Sequence, residues 1–162
     1  MLATFDDANG GLRFVVLVNR LDLSRDSLRA SLASLGHLDL VMKNPGYGHP
    51  LRPEYILTPR GKAVASVCTE YMKPACDNDV LLRKWSAPIL LALLHGHQRF
   101  NEIRAALEVT PRALTQVLKL LEGLVHRSVE DGYPPVTLYS LTDNGESVAR
   151  TAEQVRDLLA DS

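Results

Sequence analysis

The chain has 162 residues, 46% of them apolar and 6% aromatic, and its 18 basic and 19 acidic side chains leave a net charge of −1. That is enough apolar content for one ordinary domain or two small ones, and the near-zero balance argues at first against a nucleic-acid partner. No apolar run is long enough to span a membrane: the longest, Ala87 to Leu94, stops at His95.

In chain order, Leu2 to Ala8 reads as a short helix that Gly10-Gly11 ends, and Phe14 to Leu21 as a second helix. Ser24 is placed to cap a third, which buries Leu28, Leu32 and Leu35 and exposes Arg25, Ser27, Arg29 and Ser31. Leu38 to Lys43 and Glu54 to Leu57 read as strands flanking a long Gly/Pro-rich tip, Asn44 to Pro53, which carries His49 and Arg52. Pro59-Arg60-Gly61 opens a helix running to about Met72, and Lys73-Pro74 breaks it. The predicted domains are therefore 1–73 and 74–162.

The second half follows the same plan. Ser86 is a plausible N-cap for the run Ile89 to Leu94, with Pro88 in the first turn and Gly96 as the stop. Phe100, Ile103 and Leu107 give a short second helix one apolar face. Thr110 followed by Pro111 is a strong start signal for a third. There Leu114, Val117, Leu118 and Leu121 form the buried stripe, and Arg112, Thr115, Gln116 and Lys119 the opposite face. Two helices joined by a tight turn, the second presenting Arg, Thr, Gln and Lys, have helix-turn-helix logic. Leu124 to Glu130 and Thr137 to Thr142 read as a hairpin around Asp131 to Pro135; a lone hairpin is unstable, so it must lie on the helices as a wing. Asp143-Asn144-Gly145 leads into a last helix, with Val148, Ala152, Val155, Leu158 and Leu159 on one side.

The chain thus repeats itself. Arg13-Phe14 recurs as Arg99-Phe100, Leu28 as Leu114, Leu32 as Leu118 and Leu35 as Leu121, all 86 residues on. Beyond the first wing, two residues longer than the second, Tyr55-Ile56-Leu57-Thr58 recurs as Tyr139-Ser140-Leu141-Thr142 and Gly61 as Gly145, 84 residues on. Charge repeats too. Residues 13–43 and 99–127 each carry a net +2, whereas 128–162 carry −5, so basic excess falls at equivalent places and acid gathers in a tail. The predicted fold class is α+β, mainly α: tandem winged helix-turn-helix domains arranged as an intramolecular pseudo-dimer.

Lys84-Trp85, Arg99-Phe100-Asn101-Glu102-Ile103, Leu114-Thr115-Gln116-Val117-Leu118, Leu120 to Val125, Pro134-Pro135 and Tyr139 to Gly145 occur in one order over about 60 residues. In these stretches the second copy resembles the HxlR-type winged helix-turn-helix regulators of bacteria. The resemblance implies a cytoplasmic, DNA-binding transcription regulator that usually works as a dimer. Family members typically carry one such domain, whereas this chain has two, and the first copy keeps the architecture but few family side chains. In many members a cysteine precedes the Lys-Trp pair, and some use it to sense oxidants. Cys76 stands near that place, with a shorter spacing to Lys84.

Arg112 and Gln116 suit base edges in the major groove and Thr115 bases or phosphate, and Lys119 completes this candidate DNA-binding face. The competing reading is an ordinary solvated helix face. Arg25, Ser27 and Arg29 are the corresponding candidates in the first copy. Arg52, with His49, is a candidate for the minor groove or the backbone. Arg99 suits either a phosphate contact or a structural ion pair. Cys76 is the candidate redox sensor, and Cys68 reads as core. His95-Gly96-His97 lacks the further ligands a metal needs, and no catalytic constellation stands at informative spacing. The expectation is a non-enzymatic, cytoplasmic, sequence-specific regulator of double-stranded DNA, without cofactor or metal. Its two recognition helices would lie about 34 Å apart, one turn of DNA. A homodimer of tandem chains could cover a longer site, and any small-molecule effector is unknown. The alternative is a tandem interaction or adaptor module that has lost DNA binding, a reading the acidic tail favours.

Overall fold

Each half of the chain is built on two helices joined through a residue in the left-handed region. In the computed structural model, which describes residues 1–6, 10–46, 49, 51–73 and 78–160, these joints are Asp22 at φ 49° and Glu108 at φ 51°. They stand 86 residues apart, the same spacing as the sequence repeat. The chain divides into two compact units, Met1–Thr69 with Val155–Ser162, and Glu70–Gln154.

The first unit runs α1 (Leu2–Asp6), β1 (Leu12–Arg13), α2 (Phe14–Leu21), α3 (Arg25–His37), β2 (Val41–Lys43), β3 (Glu54–Leu57) and most of α4 (Pro59–Met72). Ser24 caps α3, its Oγ accepting the Ser27 N–H at 3.1 Å. Its three strands pair antiparallel in the order β1-β3-β2, with Leu12 opposite Tyr55 and Val41 opposite Leu57. Phe5, Leu12, Leu17, Leu28, Leu32 and Val41 form the core.

The second unit contains α5 (Asn78–Leu81), α6 (Ser86–Leu94), α7 (Phe100–Leu107), α8 (Pro111–Leu120), β4 (Val125–Glu130), β5 (Val136–Leu141) and the larger part of α9 (Asp143–Ala160). The wing is a six-residue antiparallel ladder from Val125↔Leu141 to Glu130↔Val136. Ile89, Leu90, Ile103, Leu114, Leu121 and Val148 are fully buried at its centre. The fold is mainly helical α+β, with a winged helix-turn-helix in this unit.

One corner recurs in both units. Thr58 Oγ1 donates to the Asp39 carbonyl and accepts the Gly61 N–H, while Thr142 Oγ1 donates to the Gly123 carbonyl and accepts the Gly145 N–H. The first turn of α4 thereby lies against Leu40 and that of α9 against Leu124. A Cβ on Gly61 would stand 1.8 Å from the Leu40 carbonyl oxygen, and one on Gly145 1.9 Å from that of Leu124. Only glycine fits, for reasons of space rather than backbone angle.

Two expectations change, one strand is added, and one helix is described only in part. Ser86 does not cap α6: Trp85 holds that position, and Ser86 is fully buried with its hydroxyl donating to the Val80 carbonyl, tying α5 to α6. Leu12–Arg13 is a strand that no period of two residues could announce; its counterpart is the single bridge Arg99↔Leu138. The strand expected from Leu38 begins at Val41, because Asp39 turns the chain at φ 53°. The helix expected to reach Ala8 is described as far as Asp6, and residues 7–9 lie outside the described set.

Candidate nucleic-acid interface

The N-terminus of α8 is fixed before its outer face matters. Thr110 is extended at φ −69°, ψ 146°, and its Oγ1 accepts the Ala113 N–H at 3.3 Å, while Pro111 supplies the first helical φ. Leu114, Val117 and Leu118 then turn inward, so Arg112, Thr115, Gln116 and Lys119 are necessarily exposed. The Thr115 hydroxyl donates to the Pro111 carbonyl at 2.9 Å, which engages its proton within the helix. α7, the helix ahead of it, is tightened by Glu102, whose carboxylate accepts the backbone N–H groups of Gln98 and Arg99. Arg99 Nε stands 3.8 Å from the same carboxylate, on the ion-pair side of the two roles open to it.

Between α8 and the wing lies an open groove of about 340 Å³, bordered by Thr115, Lys119, Glu122, Arg127 and Tyr139. The first unit has the same groove between α3 and its own wing, about 290 Å³, bordered by Arg29, Gly36, Lys43 and Tyr55. Lys43 and Arg127 occupy equivalent strand positions, opposite Tyr55 and Tyr139 and 84 residues apart. The first wing is therefore not the longer one, as expected from the sequence: the two extra residues of the first copy lie where α3 turns into β2. Lys43 and Arg127 are exposed, and both belong with the candidate interface. Sequence reading counted their charge but did not place them, because their value depends on the wing folding back beside the helix.

The first unit adds a larger cavity of about 560 Å³, walled by Arg13, Arg25, Arg29 and Arg52 together with Phe14 and Tyr55. Three of the predicted residues, Arg25, Arg29 and Arg52, are thus brought together. Arg13 joins them unforeseen, although its recurrence as Arg99 was a signal. Arg29 forms an exposed ion pair with Asp26 at 2.9 Å, and its guanidinium lies 5.7 Å from the centre of the Phe14 ring. Ser27 is exposed and shares a 2.8 Å hydroxyl–hydroxyl bond with Ser24. Neither Ser27 nor His49 borders the cavity. Cys76 lies outside the described residues. Cys68 is half-buried, and burial pushes its thiol pKa up. Among the described residues no group of three His, Cys, Asp or Glu side chains is placed to hold a metal, and no helix is long and apolar enough to cross a membrane.

The sequence profile of the HxlR-like helix-turn-helix family matches residues 80–161. The HTH-type transcriptional regulator YvaP of Bacillus subtilis (strain 168) is 41% identical over 88 residues, 52% of this chain and 79% of YvaP. The HTH-type transcriptional regulator YdeP of the same organism is 37% identical over 82 residues, 49% of this chain and 64% of YdeP. The match therefore spans less than two thirds of YdeP. Among solved structures, diamide-treated YodB from B. subtilis is 27% identical and matches with a TM-score of 0.44, over 49% of this chain and 81% of that one.

Proposed function

The chain belongs to the HxlR-like helix-turn-helix family, and we propose on that premise that it is a sequence-specific regulator of transcription that binds double-stranded DNA through two recognition helices and two wings. The family and the named relatives are transcription regulators, not enzymes. The observation that carries the reading is the outer face of α8. Arg112, Gln116 and Lys119 stand exposed on a helix held from below by a fully buried Leu114 and capped by Thr110. An α-helix of this kind fits the major groove, where Arg and Gln can bond base edges, while Lys119, Arg127 and the wing address phosphates.

The first unit supports a second set of contacts, through α3 and its own capped N-terminus. Two such sets in one chain would let a single molecule cover a site with unequal halves, the role a symmetric dimer fills elsewhere. A dimer of tandem chains is the alternative assembly. The working compartment is the cytoplasm, where the DNA lies.

Binding should depend steeply on salt, since each phosphate neutralised contributes a slope of about −0.9 in log K against log salt. Fluorescence anisotropy with a duplex taken from genome-wide mapping of bound sites, run from low to physiological salt, is the measurement. Salt-independent binding, or none to any mapped fragment, would sink the regulator reading and favour an adaptor that has lost DNA.

A further inference from the structure

The two units do not present the same chemistry to a duplex. Arg13, Arg25, Arg29 and Arg52 wall one cavity of about 560 Å³ in the first unit. At the repeat's spacing of 86 residues, Arg13 corresponds to Arg99, but Arg25 corresponds to Pro111 and Arg29 to Thr115. Counted back from the paired tyrosines Tyr55 and Tyr139, Arg52 corresponds to Val136. One guanidinium of four survives in the second unit.

The rest of the α3 surface cannot substitute as a reader. Ser27, Ala30, Ala33 and Ser34 are exposed but short. The Ser27 hydroxyl is engaged with Ser24, and Ser34 Oγ donates to the Ala30 carbonyl at 3.0 Å. Arg29 is drawn toward its own unit, by Asp26 on one side and the Phe14 face on the other. α8, by contrast, presents Arg112 and Gln116, long exposed side chains that suit base edges.

We propose a division of labour: the first unit grips the phosphodiester backbone of double-stranded DNA in its four-arginine cavity without reading sequence, and the second unit reads the bases. Guanidinium forks match phosphate oxygens in pairs, and a concave wall of them seats a backbone rather than a base edge. This rests on the DNA-binding reading above. Arg13 and Arg52 are therefore affinity residues, and the Pro53 carbonyl, which accepts the Phe14 N–H at 3.4 Å, ties the chain beside Arg52 to the start of α2.

The test uses the full chain and two duplexes of equal length, one carrying a mapped site and one of random sequence, with anisotropy read across a salt series. Arg25→Ala and Arg52→Ala should each weaken binding about tenfold on both duplexes, the size expected for one charge-assisted bond. Each should also make the salt slope shallower by about 1. Arg25→Lys and Arg52→Lys should keep the slope. Arg112→Ala with Gln116→Ala should lose the specific duplex far more than the random one. A larger loss on the specific duplex than on the random one for Arg25→Ala or Arg52→Ala would make the first unit a base reader and overturn the proposal. Unchanged affinity on both duplexes would overturn it as well, while leaving the regulator reading intact. A wild-type chain that binds neither duplex would end both.

Discussion

Arg112 and Gln116 differ from their neighbours in what they leave available. Thr115 turns its hydroxyl back to the helix, and Arg99 stands close to Glu102, whereas Arg112 and Gln116 are exposed on the outer face of α8. Replacing either by Ala should cost about 1–3 kcal/mol on the specific site and much less on random DNA, measured by competition with unlabelled duplexes. Cys68 makes a prediction of a different kind. Desolvation raises its thiol pKa, partly offset by the positive amino terminus nearby. The folded chain then holds this proton more tightly than the unfolded one. Its contribution to stability is present below the ordinary thiol range and is lost as pH rises through the raised value. Thermal melts at increasing alkaline pH should fall less steeply for Cys68→Ala than for the parent, and iodoacetamide should label Cys68 slowly at neutral pH.

Among the elements, those announced by a cap and a stripe were legible in advance. α3 and α8 begin where Ser24 and Thr110-Pro111 say they should, and Leu28, Leu32, Leu114 and Leu118 face inward as their spacing requires. Elements fixed by tertiary contact were not. β1 has two residues and exists because Leu12 pairs with Tyr55; α5 has four residues and is held by the buried Ser86 hydroxyl. The candidate site divides in the same way: the outward faces of α3 and α8 follow from periodicity, while Arg13, Lys43 and Arg127 acquire a place only when strand and helix come side by side. The repeated glycines read as helix starts, yet their real constraint is a carbonyl oxygen from a distant turn. Gly145→Ala would set a methyl 1.9 Å from the Leu124 oxygen and should destabilise by at least about 1–3 kcal/mol. Gly36→Ala is the control. Its new methyl would meet nothing closer than 3.7 Å within an exposed helix, and it should be stabilising by about 0.5–1 kcal/mol. Urea unfolding of both variants compares them directly.

At the scale of the whole molecule, the chain does not divide at one cut. The first unit includes Val155–Ser162, and within it Arg60 Nη2 donates to the carbonyls of Leu158 and Leu159 at 3.1 Å each. These carbonyls belong to the last turn of α9, and the guanidinium supplies donors to both. A fragment of residues 1–74 therefore lacks part of its own unit and should be weakly folded or self-associating. The full chain should unfold in one cooperative transition, since α9 begins in the second unit and ends in the first. Scanning calorimetry of the chain and of both fragments is the check. Two independent transitions, each reproduced by an isolated half, would show units that fold alone.

The same shared helix sets a schedule for synthesis. Domains usually fold in the order in which the ribosome delivers them, N-terminal first. Here the residues of the second unit, Glu70–Gln154, have all been translated before the stretch that completes the first. During translation the earlier-made unit must wait as a nascent, unfinished body, and the later-made unit is the first to be whole.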